Sequence, residues 1–326
     1  MITAIIVGAG HRALGYAELA KIYPDQLKIV GVADPLADRR KYCCEYFGFS
    51  EDMCFESAEE LAKRGKLADA VINGTMDAEH IPTTIPLLEA GYDVLLEKPF
   101  TITGDEAQEI MDCARENNVF CMEGMWTRCM PAVKKAKAWI DEGRIGSVRQ
   151  LYGDIGWGAG IRPFGRLYAP NAGGGAFYDG GIYCLSIAYY LMGGQDPVDF
   201  ATMAEMYEPT DVDVHSSTIL RYADGAHAVM MNGIDTTSRQ DIMVYGTEGV
   251  IIIESPFWKA TKAVLNRYDG THEEFEFVPA EEGFEFELLE VERCVKEGLK
   301  ESPIMPLEES VRIMRLVDKM QAAWRK

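Results

Sequence analysis

Along the first 122 residues, short β-branched apolar runs alternate with stretches whose apolar residues recur every three or four positions, the signature of βαβ units and a parallel sheet. The runs predict strands at 3–7, 28–33, 68–72, 94–97 and 119–122. Helical patterns fill the gaps, and Ser57-Ala-Glu-Glu60 reads as a capping box opening one of them. Beyond residue 145 the period changes to long alternating runs at 148–157, 214–222, 226–233, 240–245 and 250–254, the pattern of antiparallel strands. Asp224-Gly225 and Asp269-Gly270 mark two hairpin turns. Leu307, Val311, Met314, Val317, Met320 and Trp324 then lay an apolar stripe along a final helix. The expected fold class is α/β: a doubly wound parallel sheet over 1–122, then an α+β domain over 123–326 with a large, mostly antiparallel open sheet. No internal repeat, low-complexity tract or long linker separates them.

The chain of 326 residues is long enough for these two cores. Its 32 Lys and Arg against 52 Asp and Glu give a net charge of −20, which repels phosphate backbones and anionic lipid surfaces. Neither nucleic acid nor membrane is an expected partner. No apolar run approaches the roughly 20 residues of a spanning helix, and the amino terminus opens on a strand pattern, so the expected location is the cytoplasm. The eight cysteines form no CxxC pair, and no histidine cluster has ligand spacing. Free thiols and no metal are expected.

The first predicted strand runs into Gly8-Ala-Gly10-His11-Arg12-Ala13 and then a helical pattern. That order of strand, glycine turn and helix suits a dinucleotide: Gly8 allows the turn, Gly10 admits a pyrophosphate, and the helix start offers unpaired N–H groups. A plain strand-to-helix turn has the same spacing. Asp34 ends the second strand, where a carboxylate accepts from ribose hydroxyls and repels a 2′-phosphate, so NAD is expected over NADP. Arg12, Arg39 and Arg40 lie near enough to temper that preference. Thr75 and His80 follow the third strand, as ribose or nicotinamide contacts or as caps of the next helix. Glu97-Lys98-Pro99 ends the fourth with a lysine at the sheet's carboxyl edge.

Together with Met122-Glu-Gly-Met-Trp126-Thr-Arg128, Arg144-Ile-Gly-Ser-Val148, Gly173-Gly-Gly-Ala-Phe-Tyr-Asp179-Gly-Gly-Ile-Tyr183 and Gly246-Thr-Glu-Gly249, these segments resemble the Gfo/Idh/MocA oxidoreductases over nearly the whole chain. The resemblance implies a Rossmann domain, then an α/β domain whose open sheet often makes oligomers, hence a homodimer or homotetramer. It also implies substrate held between the domains. It gives Lys98 a catalytic role and matches Asp179 and Tyr183 to the acidic and aromatic or histidine positions downstream. It sets Trp126 and Arg128 beside the nicotinamide; Glu97, next to Lys98, is a further candidate cofactor contact. Many members carry histidine where this chain has Tyr183.

Oxidising a secondary alcohol requires a base for the hydroxyl proton, and a phenol serves only beside a positive charge. Lys98 can supply that charge or itself take the proton, so either Lys98 or Tyr183 is the acceptor, and a helix would set Asp179 and Tyr183 on one face as i and i+4. A cap and a half-buried aromatic would look the same in sequence. Trp126, Trp157, Tyr168, Phe257 and Trp258 fall at segment ends, where sugar rings stack, and Arg128, Arg162 and Arg166 can bind hydroxyls. The expected activity is NAD-dependent hydride transfer to or from a ring carbinol of a sugar, sugar derivative or cyclic polyol. The alternatives are redox-neutral glycoside cleavage through a transient keto-sugar and a non-catalytic dinucleotide sensor.

Overall fold

A computed structural model describes residues 1–158, 160, 162 and 165–325. The chain divides into two compact units, Met1–Gly124 with Phe284–Arg315, and Met125–Gly283 with Leu316–Lys326.

The first unit runs β1 (Ile2–Val7), α1 (His11–Ile22), β2 (Leu27–Ala33), α2 (Ala37–Phe47), β3 (Cys54–Phe55), α3 (Ala58–Lys63), β4 (Ala70–Asn73), α4 (His80–Glu89), β5 (Asp93–Glu97), α5 (Gly104–Glu116) and β6 (Cys121–Gly124). Its sheet has the order β3-β2-β1-β4-β5-β6, and every pairing is parallel. That is the order of a dinucleotide-binding Rossmann sheet, with its direction switching between β1 and β4. The central strands are apolar on both faces, as helices covering both sides require. Ser57 accepts from the Glu60 N–H, but Glu60 reaches back to the Glu56 N–H; the reciprocal box forms instead at Thr103 and Glu106.

The second unit contains α6 (Pro131–Asp141), β7 (Val148–Gly156), a π-helical turn (Phe177–Gly181), α7 (Ile182–Leu191) and then β8 (Asp199–Tyr207), β9 (Val212–Arg221), β10 (His227–Gly233), β11 (Ile242–Gly246), β12 (Gly249–Ile253), β13 (Lys262–Arg267) and β14 (His272–Glu276). The eight strands form one open sheet, β14-β13-β12-β11-β7-β10-β9-β8, antiparallel except where β7 meets β10. Both Asp-Gly turns join antiparallel partners, and in each only the glycine takes positive φ. Strands β3 and β8 and the helix α8 (Phe284–Glu297) were not expected.

The expected second domain extended from 123 to the end, whereas 284–315 clusters with the first unit. There α8 packs on α1 through Phe284, which meets Tyr16 edge to face at 5.1 Å. The Tyr16 hydroxyl donates to Glu287 Oε2 at 2.5 Å, and both side chains are fully buried. The last helix, α9 (Leu307–Trp324), buries the predicted stripe up to Met320 and belongs in part to each unit. Among the described residues, no helix is long and apolar enough to cross a membrane.

Burial, reinforced by the charge of Glu97, holds the Glu287 carboxyl well above the usual carboxylate range. A raised folded pKa means that its stabilisation is complete below the ordinary value and is lost as pH rises toward the folded one. Replacing Glu287 with Gln, which keeps the acceptor but never ionises, is therefore expected to raise Tm at pH 8. The gain shrinks to nothing near pH 4, as thermal melts across that range will show.

Candidate active site

In the first unit the candidate residues line the carboxyl ends of β1, β2, β4 and β5. Gly8 has φ 76° and donates its N–H to the Ala33 carbonyl at the end of β2. A Cβ there would stand 2.9 Å from the Thr75 backbone, so the loops after β1 and β4 close on each other only because residue 8 is glycine. Gly10 caps α1 without a side-chain bond, no acid occupies the first turn, and the direction its Cβ would take is open. The helix start thus offers N–H groups and a positive dipole end to an anion. Ala13 stands where the fingerprint has its third glycine, and the room for its methyl is made by Gly74, just past β4, where a Cβ would lie 2.8 Å from it.

Asp34 is buried, with Oδ2 accepting from the Ala9 N–H and Oδ1 from the Leu36 N–H, both at 2.8 Å. The half-exposed Arg39 reaches within 3.5 Å of Oδ2, while Arg40 holds the Asp34 carbonyl at 2.7 Å. Glycine turn, open helix end and oriented carboxylate together fit a dinucleotide. His11 is exposed at the first residue of α1. Arg12 lies over the Phe284 ring at 4.7 Å, its Nε 3.7 Å from Glu97 Oε1.

Neither Thr75 nor His80 caps α4 with its side chain. The Thr75 hydroxyl donates to Asn73 Oδ1 at 2.9 Å. His80 is buried with Nδ1 3.2 Å from the Phe100 carbonyl, and burial pushes its imidazole below the ordinary value against the opposing pull of that carbonyl and Glu97. Its neutral ring steadies the turn after Lys98. The same turn is held by Glu97 Oε2, which accepts from the Lys98 N–H at 3.2 Å, and by Glu123, which accepts from the Phe100 N–H at 3.1 Å and the Ser310 hydroxyl at 2.7 Å. Lys98 itself is half-buried. Sequence reasoning quoted Glu123 within a motif but gave it no role, and it passed over Ser310.

The second unit gathers the other candidates around the π-helical turn. Asp179 lies inside that turn, its N–H directed at the Gly175 carbonyl, so it is not an N-cap. Tyr183 is the second residue of α7. The pair therefore straddles a π-to-α junction and not the uniform α-helical face expected, because the wider turn inserts a residue. Trp126 Nε1 donates to the Tyr183 hydroxyl at 3.0 Å, and Arg166 forms a close ion pair with Asp179. Trp157 crosses the turn at Gly180 and meets Trp258 edge to face at 5.9 Å; Trp258 in turn meets Phe257 at 5.8 Å.

Arg128 departs from the expected substrate contact. It is fully buried, with Nε donating to the Ser186 hydroxyl and an Nη to the Ser186 carbonyl, both at 2.7 Å, and with the Tyr190 ring 5.5 Å away. These bonds make it a clamp on α7. Tyr168 is likewise buried, 5.0 Å from the Tyr207 ring, whereas Arg162 is exposed. The structure thus brings Gly8, Gly10, Arg12, Asp34, Thr75, His80, Glu97 and Lys98 together in one unit. It groups Trp126, Trp157, Arg166, Asp179 and Tyr183 in the other. Among the described residues, no group of three or more His, Cys, Asp or Glu is placed to hold a metal ion.

Known proteins share both halves of this arrangement. Trans-1,2-dihydrobenzene-1,2-diol dehydrogenase of Oryctolagus cuniculus is 30% identical over 328 residues, covering 98% of this chain and 97% of its own. The protein of the same name from Homo sapiens is 30% identical over 282 residues, covering 82% and 81%. Among solved structures, aldose-aldose oxidoreductase from Caulobacter crescentus in complex with glycerol superimposes with a TM-score of 0.88 at 21% identity, over 99% of this chain and 97% of that one. Levoglucosan dehydrogenase with NADH and levoglucosan gives 0.85 at 20% identity, over 99% and 97%. At such identities the likeness is one of fold. Residues 2–125 match the family model described as an oxidoreductase family with an NAD-binding Rossmann fold, and residues 133–252 match the GFO/IDH/MocA C-terminal domain. The chain belongs to the Gfo/Idh/MocA family of NAD-binding oxidoreductases.

Proposed function

We propose that the protein is an NAD-dependent dehydrogenase of a secondary carbinol in a sugar, sugar derivative or cyclic polyol, or the reductase of the corresponding ketone. The Trp126–Tyr183 hydrogen bond beside Asp179 carries this reading. Indole Nε1 is only a donor, so the Tyr183 oxygen accepts there and its own proton is directed elsewhere. The bond fixes the position of the phenol oxygen, and general-base work at a carbinol needs an oxygen so held. Tyr183 takes the carbinol proton, Lys98 supplies positive charge to the developing alkoxide, and Asp179, steadied by Arg166, orients the hydroxyl. When bound, NAD accepts the hydride that leaves the carbinol carbon.

Gly8, Gly10, His11, Arg12, Asp34, Thr75 and Glu97 hold the dinucleotide, with His80 fixing the turn from beneath and Trp126 a further contact as the resemblance implies. The buried Asp34 carboxylate favours ribose hydroxyls over a 2′-phosphate, and Arg39 tempers that selectivity without reversing it. The half-buried Trp157 offers a face to a ring, whereas Trp126 is buried and acts through its bond to Tyr183. The names of the relatives support the substrate class: a cyclic diol for the rabbit protein, an aldose and an anhydrosugar for the two structures. None of these named proteins is a glycoside-cleaving enzyme.

We also propose self-association through the open sheet. One cross-strand row on its helix-free face reads Ile219, Val229, Tyr152, Met243, Ile252 and Val264, and the exposed Met203 and Met231 flank it. An apolar strip of that length suits a second copy of the chain.

Incubation with sugars, inositols, cyclic diols and glycosides is expected to give steady NADH accumulation with at least one carbinol, and NADP is expected to serve less well; cleaved glycoside without net NADH would replace this reading. Lys98→Met should leave NAD affinity nearly unchanged while lowering turnover by roughly 10²–10⁴. Wild-type turnover in that variant removes Lys98 from the chemistry. Sedimentation is expected to show a dimer or tetramer that Met243→Lys with Ile252→Lys dissociates, and a wild-type monomer at micromolar concentration sinks the assembly.

A further inference from the structure

The helix that carries Asp179 and Tyr183 opens without a side-chain cap of its own. The residue before it, Gly175, has φ 126°, and a Cβ there would collide with Asp213 Oδ1. Asp213 comes from β9, is 4% exposed, and with Oδ2 accepts from the Phe177 N–H at 2.7 Å. The acceptor that a local Ser, Thr or Asp normally places at a helix start is supplied here from 36 residues away. Glycine at 175 clears the space it occupies.

Neighbouring contacts seat the same turn. The Phe177 ring meets Trp324 edge to face at 5.5 Å, and Trp324 Nε1 donates to the Thr202 hydroxyl at 2.7 Å. At the other end of the turn, a Cβ on Gly181 would stand 2.8 Å from Asn232 Oδ1, which accepts from the Ser216 hydroxyl at 2.7 Å. One sheet side chain, Asp213, thus replaces the local cap, and close packing against Asn232 and Trp324 seats the rest of the turn.

We infer that Asp213 is a positioning residue for the reaction, capping this helix from β9 and so fixing where the π-helical turn presents Asp179. The inference rests on the proposed roles of Asp179 and Tyr183. Burial pushes the Asp213 carboxyl up to about 6, opposed by the Phe177 N–H and by Arg325 and His215, the charged groups that face it. Arg325 also pairs with Asp211 and His215 with Asp235. Because this pKa is raised, the group's stabilisation is complete below the ordinary carboxylate value and is lost as pH climbs through 6. Asp213 is therefore kept at a cost to stability at neutral pH, as a residue serving position and not stability would be.

Asp213→Ala and Asp213→Asn, with Asp179→Asn as reference, separate the possibilities. Asn retains an acceptor oxygen and caps about as well as Asp, so it should stay within a few-fold of wild type in kcat, whereas Ala is expected to lower kcat about tenfold or more with NAD affinity unchanged. Hydrogen exchange of the amides at 176–183 is expected to quicken about tenfold in Asp213→Ala and little in Asp213→Asn. Asn should also melt higher than wild type at pH 8 and not at pH 4. If Asp213→Ala does not fold, Asp213→Ser, with a shorter acceptor, takes its place with the same expectation. Wild-type exchange in the Ala variant, or equal losses in Ala and Asn, overturns the inference. Full activity in Asp179→Asn refutes the site reading instead, and the exchange comparison still decides whether Asp213 caps the helix.

Discussion

A backbone N–H at the mouth of a tight turn has lost the strand or helix partner that would have satisfied it, and leaving it unpaired in a protein interior costs about as much as a hydrogen bond. In this chain buried carboxylates answer that need. Asp34 takes the N–H groups of Ala9 and Leu36, Glu97 that of Lys98, Glu123 that of Phe100, and Asp213 that of Phe177. Asp154 does the same for Gln240, a non-glycine residue at φ 68°. The turns that present Gly10, Lys98 and Asp179 each hang from such a bond. The charge-assisted bond is about twice as strong as a neutral one, and it fixes backbone position while leaving the presented side chain to solvent or ligand.

This arrangement gives the acidic composition a second meaning. The net charge of −20 argues against nucleic acid and anionic lipid as partners, but several of the acids behind it are interior and never meet a partner at all. Glu287 shows the limit of the device: it lacks a turn amide to accept, shares its surroundings with Glu97, and answers by holding its proton.

The sheets were legible because their signal is local. Apolar runs marked the strands of the parallel sheet except β3, which is two residues long, and alternation marked most of the antiparallel ones. Strand β8 escaped because its outward positions include Asp199, Ala201 and Glu205 and its inward ones are only partly buried, so no clean alternation forms. Helix α8 escaped for a related reason: Glu287 sits on its buried stripe between Phe284, Leu288 and Val291, and an acid there breaks the pattern. The same acid was a usable signal, since a carboxylate on an apolar stripe implies a buried partner. That 284–315 returns to the first unit depends on contacts such as Tyr16 with Glu287, across 271 residues, which no local pattern encodes.

For the candidate site, residue type was legible and direction was not. Arg128 and Arg166 looked alike in sequence as polar hands for a sugar, yet one is buried in a clamp on Ser186 and the other pairs with Asp179. The spacing of Asp179 and Tyr183 suggested a single helical face, and the π-helical turn replaces that face with a wider one. The reason lies in the glycine run before them. A local cap at position 175 would need a side chain, and a side chain there would displace Asp213. A helix capped from the sheet is tied to the sheet's geometry, not to the segment that leads into it. The glycines that look like slack in the sequence are therefore the space through which a rigid strand takes hold of the turn bearing Asp179.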